Sequence, residues 1–158
     1  MSPTPAQYAY LGMIRQIIVS WNALAWVKPS YIMAEVAIES DNWDPNSKNP
    51  GSSSLGLMQV QVGTVAEVVR EYALGTIRPQ TDPLTSLEVG TLYFNTCARK
   101  IIAARHTTSL YLEEVAQAYN RGWAGFLAGE RNERYALKML AAQAQWAFVD
   151  NPTLVTMV

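Results

Sequence analysis

The sequence predicts a mainly α fold, a single domain over residues 1–158 built from about six or seven helices, with at most a small β element near residues 57–62. Three observations carry this. Apolar residues recur at helical spacing along most of the chain. Helix-start signals punctuate it at regular intervals. The composition is 49% hydrophobic and only 16% charged, against a usual ~25% charged, so there is enough apolar material for a real core.

Ser2-Pro3-Thr4-Pro5 starts the first helix, with Thr4 able to cap it and Pro5 at the first helical position. From Ala6 to Val27 the apolar residues Leu11, Ile14, Ile18, Trp21 and Ala25 follow a helical period. Pro29 ends that helix and Ser30 can cap the next. Tyr31 to Glu39, "YIMAEVAIE", is nearly all apolar and reads as a buried helix. Residues 40–55 form a polar loop without periodicity. Leu57 to Val62 is short and apolar, open between a strand and a tight turn.

Thr64 can cap "VAEVVREYAL", with Glu67 completing a capping box and Gly75 closing the helix. Asp82-Pro83 opens the next helix, which Leu84 to Arg105 carries. Leu87, Val89, Leu92, Tyr93, Cys97 and Ile101 lie broadly on one side of it. Thr108 or Ser109 opens "LYLEEVAQAYN", Gly122 and Gly125 make a turn, and the last helix runs from about Asn132 to Phe148. No internal repeat or linker divides the chain.

Several function classes drop out at this level. With a formal net charge of −1 and a pI near 5.8 there is no basic footprint for nucleic acid and no polybasic membrane patch. One cysteine, Cys97, and one histidine, His106, allow neither an internal disulfide nor a Cys/His zinc site. A Cys97–His106 nucleophile pair would sit nine positions apart on one helix; a buried cysteine and a surface histidine is the simpler reading. No metal or cofactor is expected. No apolar run reaches the ~20 residues of a membrane span. The first 26 residues lack a basic region before their apolar stretch, and Arg15 interrupts it, so no signal peptide is expected. The protein is then made in the cytoplasm, and any target outside needs a carrier.

Glu39 is the first candidate for chemistry. It ends an apolar helix, where desolvation and the negative end of the macrodipole both disfavour its charge. A glutamate with a raised pKa suits a general acid at neutral pH. It also reads as an ordinary helix-ending glutamate paired with a lysine or arginine. Glu35 lies one turn earlier on the same face and reads as part of a structural ion pair. Asp41 and Asp44 read as turn formers. Gly56-Leu57-Met58-Gln59 combines a close backbone approach, apolar side chains and an amide, which suits a sugar ring, or is a turn into the core. In "AQAYN", residues 116–120, Tyr119 and Asn120 either present a hydroxyl and an amide to a cleft or pack and cap a helix.

The order of these pieces is more specific than any one of them. Glu39-Ser40, a polar loop, Gly56 to Gln59, and some sixty residues later Ala118-Tyr119-Asn120 followed by a glycine resembles the lytic transglycosylases of the soluble type, a lysozyme-like group that includes the goose-type lysozymes. Trp43 and Pro45, the segment "TDPLTSLEVGTLYFNTC" and the helix "RNERYALKML" extend the resemblance from about Tyr31 to Tyr135. It implies a lysozyme-like helical domain that cleaves the β-1,4 bond between N-acetylmuramic acid and N-acetylglucosamine in peptidoglycan. It implies Glu39 as single general acid and base, forming a 1,6-anhydro ring with help from the substrate's acetamido group.

The resemblance also implies that Tyr119 orients Glu39, that Asn120 stabilises the cleft wall, that Gly56, Met58 and Gln59 line the sugar sites, and that Ser40 braces the loop. The family's "G-A-x-G-L-M-Q" reads here "S-S-L-G-L-M-Q", and its acetamido-binding serine has four candidates, Ser47, Ser52, Ser53 and Ser54, of which Ser54 is carried forward. The expected partners are peptidoglycan glycan strands and, in a virion, other virion proteins. The expected setting is a bacteriophage endolysin released through a holin, or a wall-degrading virion component. A hydrolytic muramidase, a chitin-cleaving enzyme and a non-catalytic lysozyme-like adaptor are the alternatives.

Overall fold

The computed structural model describes residues 2–22 and 26–151. Among the described residues six α-helices carry the fold: α1 Pro5–Ser20, α2 Pro29–Glu39, α3 Val62–Glu71, α4 Pro83–Arg105, α5 Leu112–Leu127 and α6 Glu133–Trp146. Single 3-10 turns follow α2 (Asp41–Trp43) and α6 (Ala147–Asp150). The long α4 is the central rod. It is almost wholly buried from Thr85 to Ala98, with α1, α3 and α5 packed on it. The α2 helix lies chiefly against α6.

Helix starts follow local chemistry where a short polar residue meets a proline. Thr4 caps α1 with a full capping box, its hydroxyl accepting from Gln7 N at 3.3 Å while Gln7 Oε1 accepts from Thr4 N at 2.8 Å. Asp82 caps α4 by accepting from Thr85 N at 3.0 Å, ahead of Pro83.

Elsewhere the ends move. The first helix stops at Ser20 rather than near Val27, because Asn22 turns left-handed at φ 43°; Ala25 lies outside the described residues. Ser30 does not cap α2 but sits inside it. Its N–H and hydroxyl are both taken by the Asp150 carboxylate, at 2.9 and 2.7 Å, from the far end of the chain. The α3 helix starts at Val62, so Thr64 falls within its first turn and caps nothing. The α5 helix starts at Leu112, after Tyr111, and breaks at Gly122 (φ 73°, ψ 155°) before resuming to Leu127.

Residues 57–62 form no strand. The β content among the described residues is two isolated bridges, Lys48 with Leu55 and Leu55 with Val60, which pinch the loop after α2 into a narrow double turn. Gly56 is the pivot of that turn. Its φ is +80°, and a Cβ there would stand 2.1 Å from the Gln80 carbonyl oxygen and 2.7 Å from Ser86 Oγ. Only glycine fits both constraints.

Gly56→Ala therefore combines left-handed strain with overpacking, and is expected to cost roughly 2–4 kcal/mol of stability. Urea unfolding of the variant checks this, and a change under about 0.5 kcal/mol, the scatter of ordinary surface substitutions, would contradict it.

Candidate functional site

The α2 helix buries Ile32, Met33, Ala34 and Val36 completely. Glu35 and Glu39 lie one turn apart on one face of it. Across from them α6 presents Tyr135, held on that helix's buried side with Ala136 and Met139. The Tyr135 hydroxyl is 2.8 Å from Glu35 Oε1 and 2.5 Å from Glu39 Oε1. One phenol thus joins two carboxyls.

The sequence reading of Glu35 as half of an ion pair is wrong. Glu35 is 0% exposed, and among the described residues its only hydrogen-bond partner is Tyr135 and its Oε2 has none. A buried ionised carboxylate costs several kcal/mol to desolvate. A hydrogen bond to a charged group returns about 1.5–3 kcal/mol. Burial wins, and the nearby Glu39 charge adds to it, so the Glu35 pKa is raised well above the usual carboxylate range. Glu39 is partly exposed, and burial raises its pKa too, against the opposing bond from Tyr135. The helix end is sealed by Ser40, whose hydroxyl donates to the Val36 carbonyl at 2.7 Å.

Two adjoining cavities share Glu39, Asn49 and Gln59 as a common wall. The smaller, about 210 Å³, is closed by Ser52, Ser54, Tyr93, Tyr119, Asn120 and the Gly122 break. The larger, about 500 Å³, is lined by Ile38, Asp41, Asp44, Ser47 and Lys48. The walls are mostly polar, and two aromatic rings, Tyr93 and Tyr119, stand 5.0 Å apart beside the smaller cavity. Hydroxyls, amides and ring faces around a carboxyl suit a carbohydrate, with its polar edges and apolar faces.

The residues singled out from sequence fall into two groups. Glu39, Ser54, Gln59, Tyr119 and Asn120 stand in the wall of the smaller cavity. Gly56 and Met58 do not; Gly56 is packed against Gln80, and Met58 is 0% exposed against Gly90. Their contribution is the backbone. Met58 N donates to Ser86 Oγ at 3.1 Å, and its carbonyl accepts from the Tyr119 hydroxyl at 2.7 Å.

The Tyr119 hydroxyl, expected to bond near Glu39 and orient it, is spent on the Met58 carbonyl; the hydroxyl on Glu39 itself belongs to Tyr135. Gln59, at φ 47°, spends its amide N–H groups on the Ser47 and Gly56 carbonyls, both at 2.8 Å, and so straps the loop. Asn120 Oδ1 accepts from Asn132 Nδ2 at 2.8 Å and ties α5 to the start of α6. Ser54 Oγ lies 2.8 Å from Ser52 Oγ.

Sequence reasoning missed Tyr135, Glu35, Asn49 and Tyr93 as site residues. For Glu35 a signal existed, one carboxylate inside "YIMAEVAI". For Asn49 there was none. Cys97 is fully buried and its thiol is pushed up to about 12, which leaves it unreactive, while His106 is the exposed left-handed end of α4. Among the described residues no group of three His, Cys, Asp or Glu side chains is placed to hold a metal ion, and no helix is long and apolar enough to cross a membrane.

Residues 17–141 match the Transglycosylase SLT domain family. That span holds α2, the strapped loop, both cavities and Tyr135. The chain belongs to the SLT transglycosylase family. Its helical architecture is the lysozyme-like fold of that family. A similar solved structure is the 70 kDa soluble lytic transglycosylase SLT70 of Escherichia coli, with a TM-score of 0.53 and 22% identity. The match covers 86% of this chain and 22% of that one, so this SLT domain spans under a quarter of that enzyme's length. No curated protein gives a significant match.

The two raised carboxyls give this SLT domain a pH signature. A raised folded pKa means stability that is fully present below the unfolded glutamate value of about 4.3 and lost as pH rises through the folded value. Glu35→Gln removes one of these titrations. Its unfolding free energy is expected to gain on wild type as pH rises above that unfolded value, by roughly 1.4 kcal/mol for each pH unit in which Glu35 is protonated only in the folded state. A constant difference as pH rises would show that Glu35 is not held neutral.

Proposed function

We propose that this domain is a peptidoglycan lytic transglycosylase in which Glu39 is the single general acid and base. The observation that carries the reading is the asymmetry of the two glutamates. Glu39 opens on both cavities, and Glu35 is sealed behind it. The two carboxyls share one hydroxyl, but a carboxyl with no exposed surface cannot touch a sugar. Only one carboxyl of the pair is available to substrate.

The chemistry then runs through Glu39 alone. Burial raises its pKa, which favours the protonated form that a general acid needs. Glu39 gives that proton to the glycosidic oxygen between N-acetylmuramic acid and N-acetylglucosamine. The bond breaks as the substrate's own acetamido oxygen supports the anomeric carbon. Glu39, now a carboxylate that accepts from Tyr135, takes the proton of the muramic 6-hydroxyl. That oxygen closes the 1,6-anhydro ring, and Glu39 is reprotonated with no water consumed. Tyr119 and Gln59 hold the wall against which the sugars lie, and Ser54 is the serine proposed for the acetamido group.

A hydrolytic muramidase is the second reading, because Asp41 and Asp44 stand in the wall of the larger cavity and could order a water. The proposed setting is bacterial wall degradation by a bacteriophage, either in lysis or as a virion component. This setting rests on the sequence reading, and immunoblotting of purified phage particles separates a virion component from an endolysin.

Digestion of purified peptidoglycan, read by mass spectrometry, tests the reaction. Wild type is expected to release muropeptides lighter by one water than reducing ones. Glu39→Gln is expected to lose about 10²–10⁴ in rate. Reducing-end muramic acid would favour hydrolysis and direct attention to Asp41 and Asp44. Absence of any release by wild type would favour a non-catalytic adaptor.

A further inference from the structure

The Tyr135 hydroxyl is within hydrogen-bond distance of both glutamates. A phenol has one proton and can donate only once, although its oxygen can also accept. One of the two contacts must therefore run from a carboxyl to the tyrosine. Glu35 is the carboxyl that can do this. It is 0% exposed, and its second oxygen has no partner that would support a charge. The titratable groups that face it are Glu39 on its own helix, Tyr135 on α6, Tyr119 on α5 and Cys97 on α4, none of them a cation.

We propose that Glu35 is a positioning residue for Glu39: its protonated carboxyl donates from Oε1 to the Tyr135 hydroxyl oxygen, which commits the single Tyr135 proton to Oε1 of Glu39. The consequence is directional. An oxygen that already accepts from Tyr135 is a poor place for the acid proton, so in protonated Glu39 that proton sits on Oε2. Glu39 Oε2 has no hydrogen-bond partner among the described residues and is not one of the enclosed, unpartnered oxygens. The chain Glu35 to Tyr135 to Glu39 thus presents the proton on the oxygen open to substrate. Without Glu35 the tyrosine could turn, accept from Glu39 Oε1–H, and hold the proton away from the cleft. No proton leaves Glu35 in this scheme, and it touches no substrate.

This inference rests on the reading of Glu39 as the acid, and two variants separate the two ideas. Glu35→Gln keeps a donor, the amide N–H, at the same place. Glu35→Leu removes it at similar volume, and apolar replacement of a buried ionisable group is generally tolerated by the fold. The side-chain carboxyl carbon of Glu39 is followed by NMR through a pH titration in wild type and both variants, and cleavage kinetics are measured in parallel.

Glu35→Leu is expected to raise the Glu39 midpoint, because its carboxylate loses a polarised donor, and to lower kcat about 10- to 100-fold with KM little changed. Glu35→Gln is expected to keep the midpoint near wild type and kcat within about threefold, the smallest change that a well-placed hydrogen bond would leave. If both variants lower the midpoint, Glu35 is an anion that repels Glu39, and the proposal fails. If neither moves it, Glu35 is only packing, and the proposal fails again. Lack of cleavage by wild type would remove the acid role of Glu39, while the titration would still decide the direction of the hydrogen bonds.

Discussion

The Tyr135 hydroxyl of α6 lies between two carboxyls of α2, and the geometry of the cleft follows from that contact. It fixes the rotation of α2, because Glu35 and Glu39 can share one hydroxyl only if their common face points at α6. The same face carries no cation, so the charge of the pair is limited by burial rather than balanced by a partner. A helix that would otherwise bury a purely apolar face accepts this cost, and the outcome is that burial raises the pKa of both carboxyls, that of Glu35 well above the usual range. The Asp150 carboxylate, bonded to the start of α2, pins its other end. Both ends of the helix are therefore held by residues from the C-terminal part of the chain.

The loop after α2 faces the opposite problem. It has no regular ladder to satisfy its backbone groups, yet it forms the wall shared by both cavities. Side chains do the work of a sheet. Ser47 Oγ accepts from Asp41 N at 2.9 Å, Gln59 joins two carbonyls, Ser52 and Ser54 meet each other, and Gln80 Nε2 donates to the Val60 carbonyl at 2.9 Å. Gly56 lets the turn press against Gln80, and Tyr119 fastens it to α5 through the Met58 carbonyl. A polar, serine- and asparagine-rich stretch thus becomes a cleft wall.

Much of this was legible in the sequence where the cause is local. Thr4-Pro5 and Asp82-Pro83 start helices because the cap and the proline act within one turn. Glu39 could be singled out because an apolar helix running into a polar loop places it at a lip. What could not be read was set by distance along the chain. Ser30 looks like a cap until Asp150 arrives from 120 positions away. Glu35 looks like half of an ion pair, because a buried carboxylate needs a partner, and sequence alone does not say that the partner is a tyrosine 100 positions on. Tyr119 and Met58 were both expected at the sugar; Tyr119 stands in the cavity wall with its hydroxyl spent on the Met58 carbonyl, and the Met58 side chain is turned into the core. Motif order pointed to segments that meet around the cavities and left the placement of side chains within them to tertiary packing.

The chemistry is claimed to need one carboxyl and no water, and digestion of peptidoglycan in heavy-oxygen water tests this most directly. If Glu39 returns its proton from the muramic 6-hydroxyl, the released muropeptides carry no heavy oxygen at the anomeric carbon. One heavy oxygen atom on each new reducing end would contradict it, and would mean that a water, with a second group to activate it, completes the reaction.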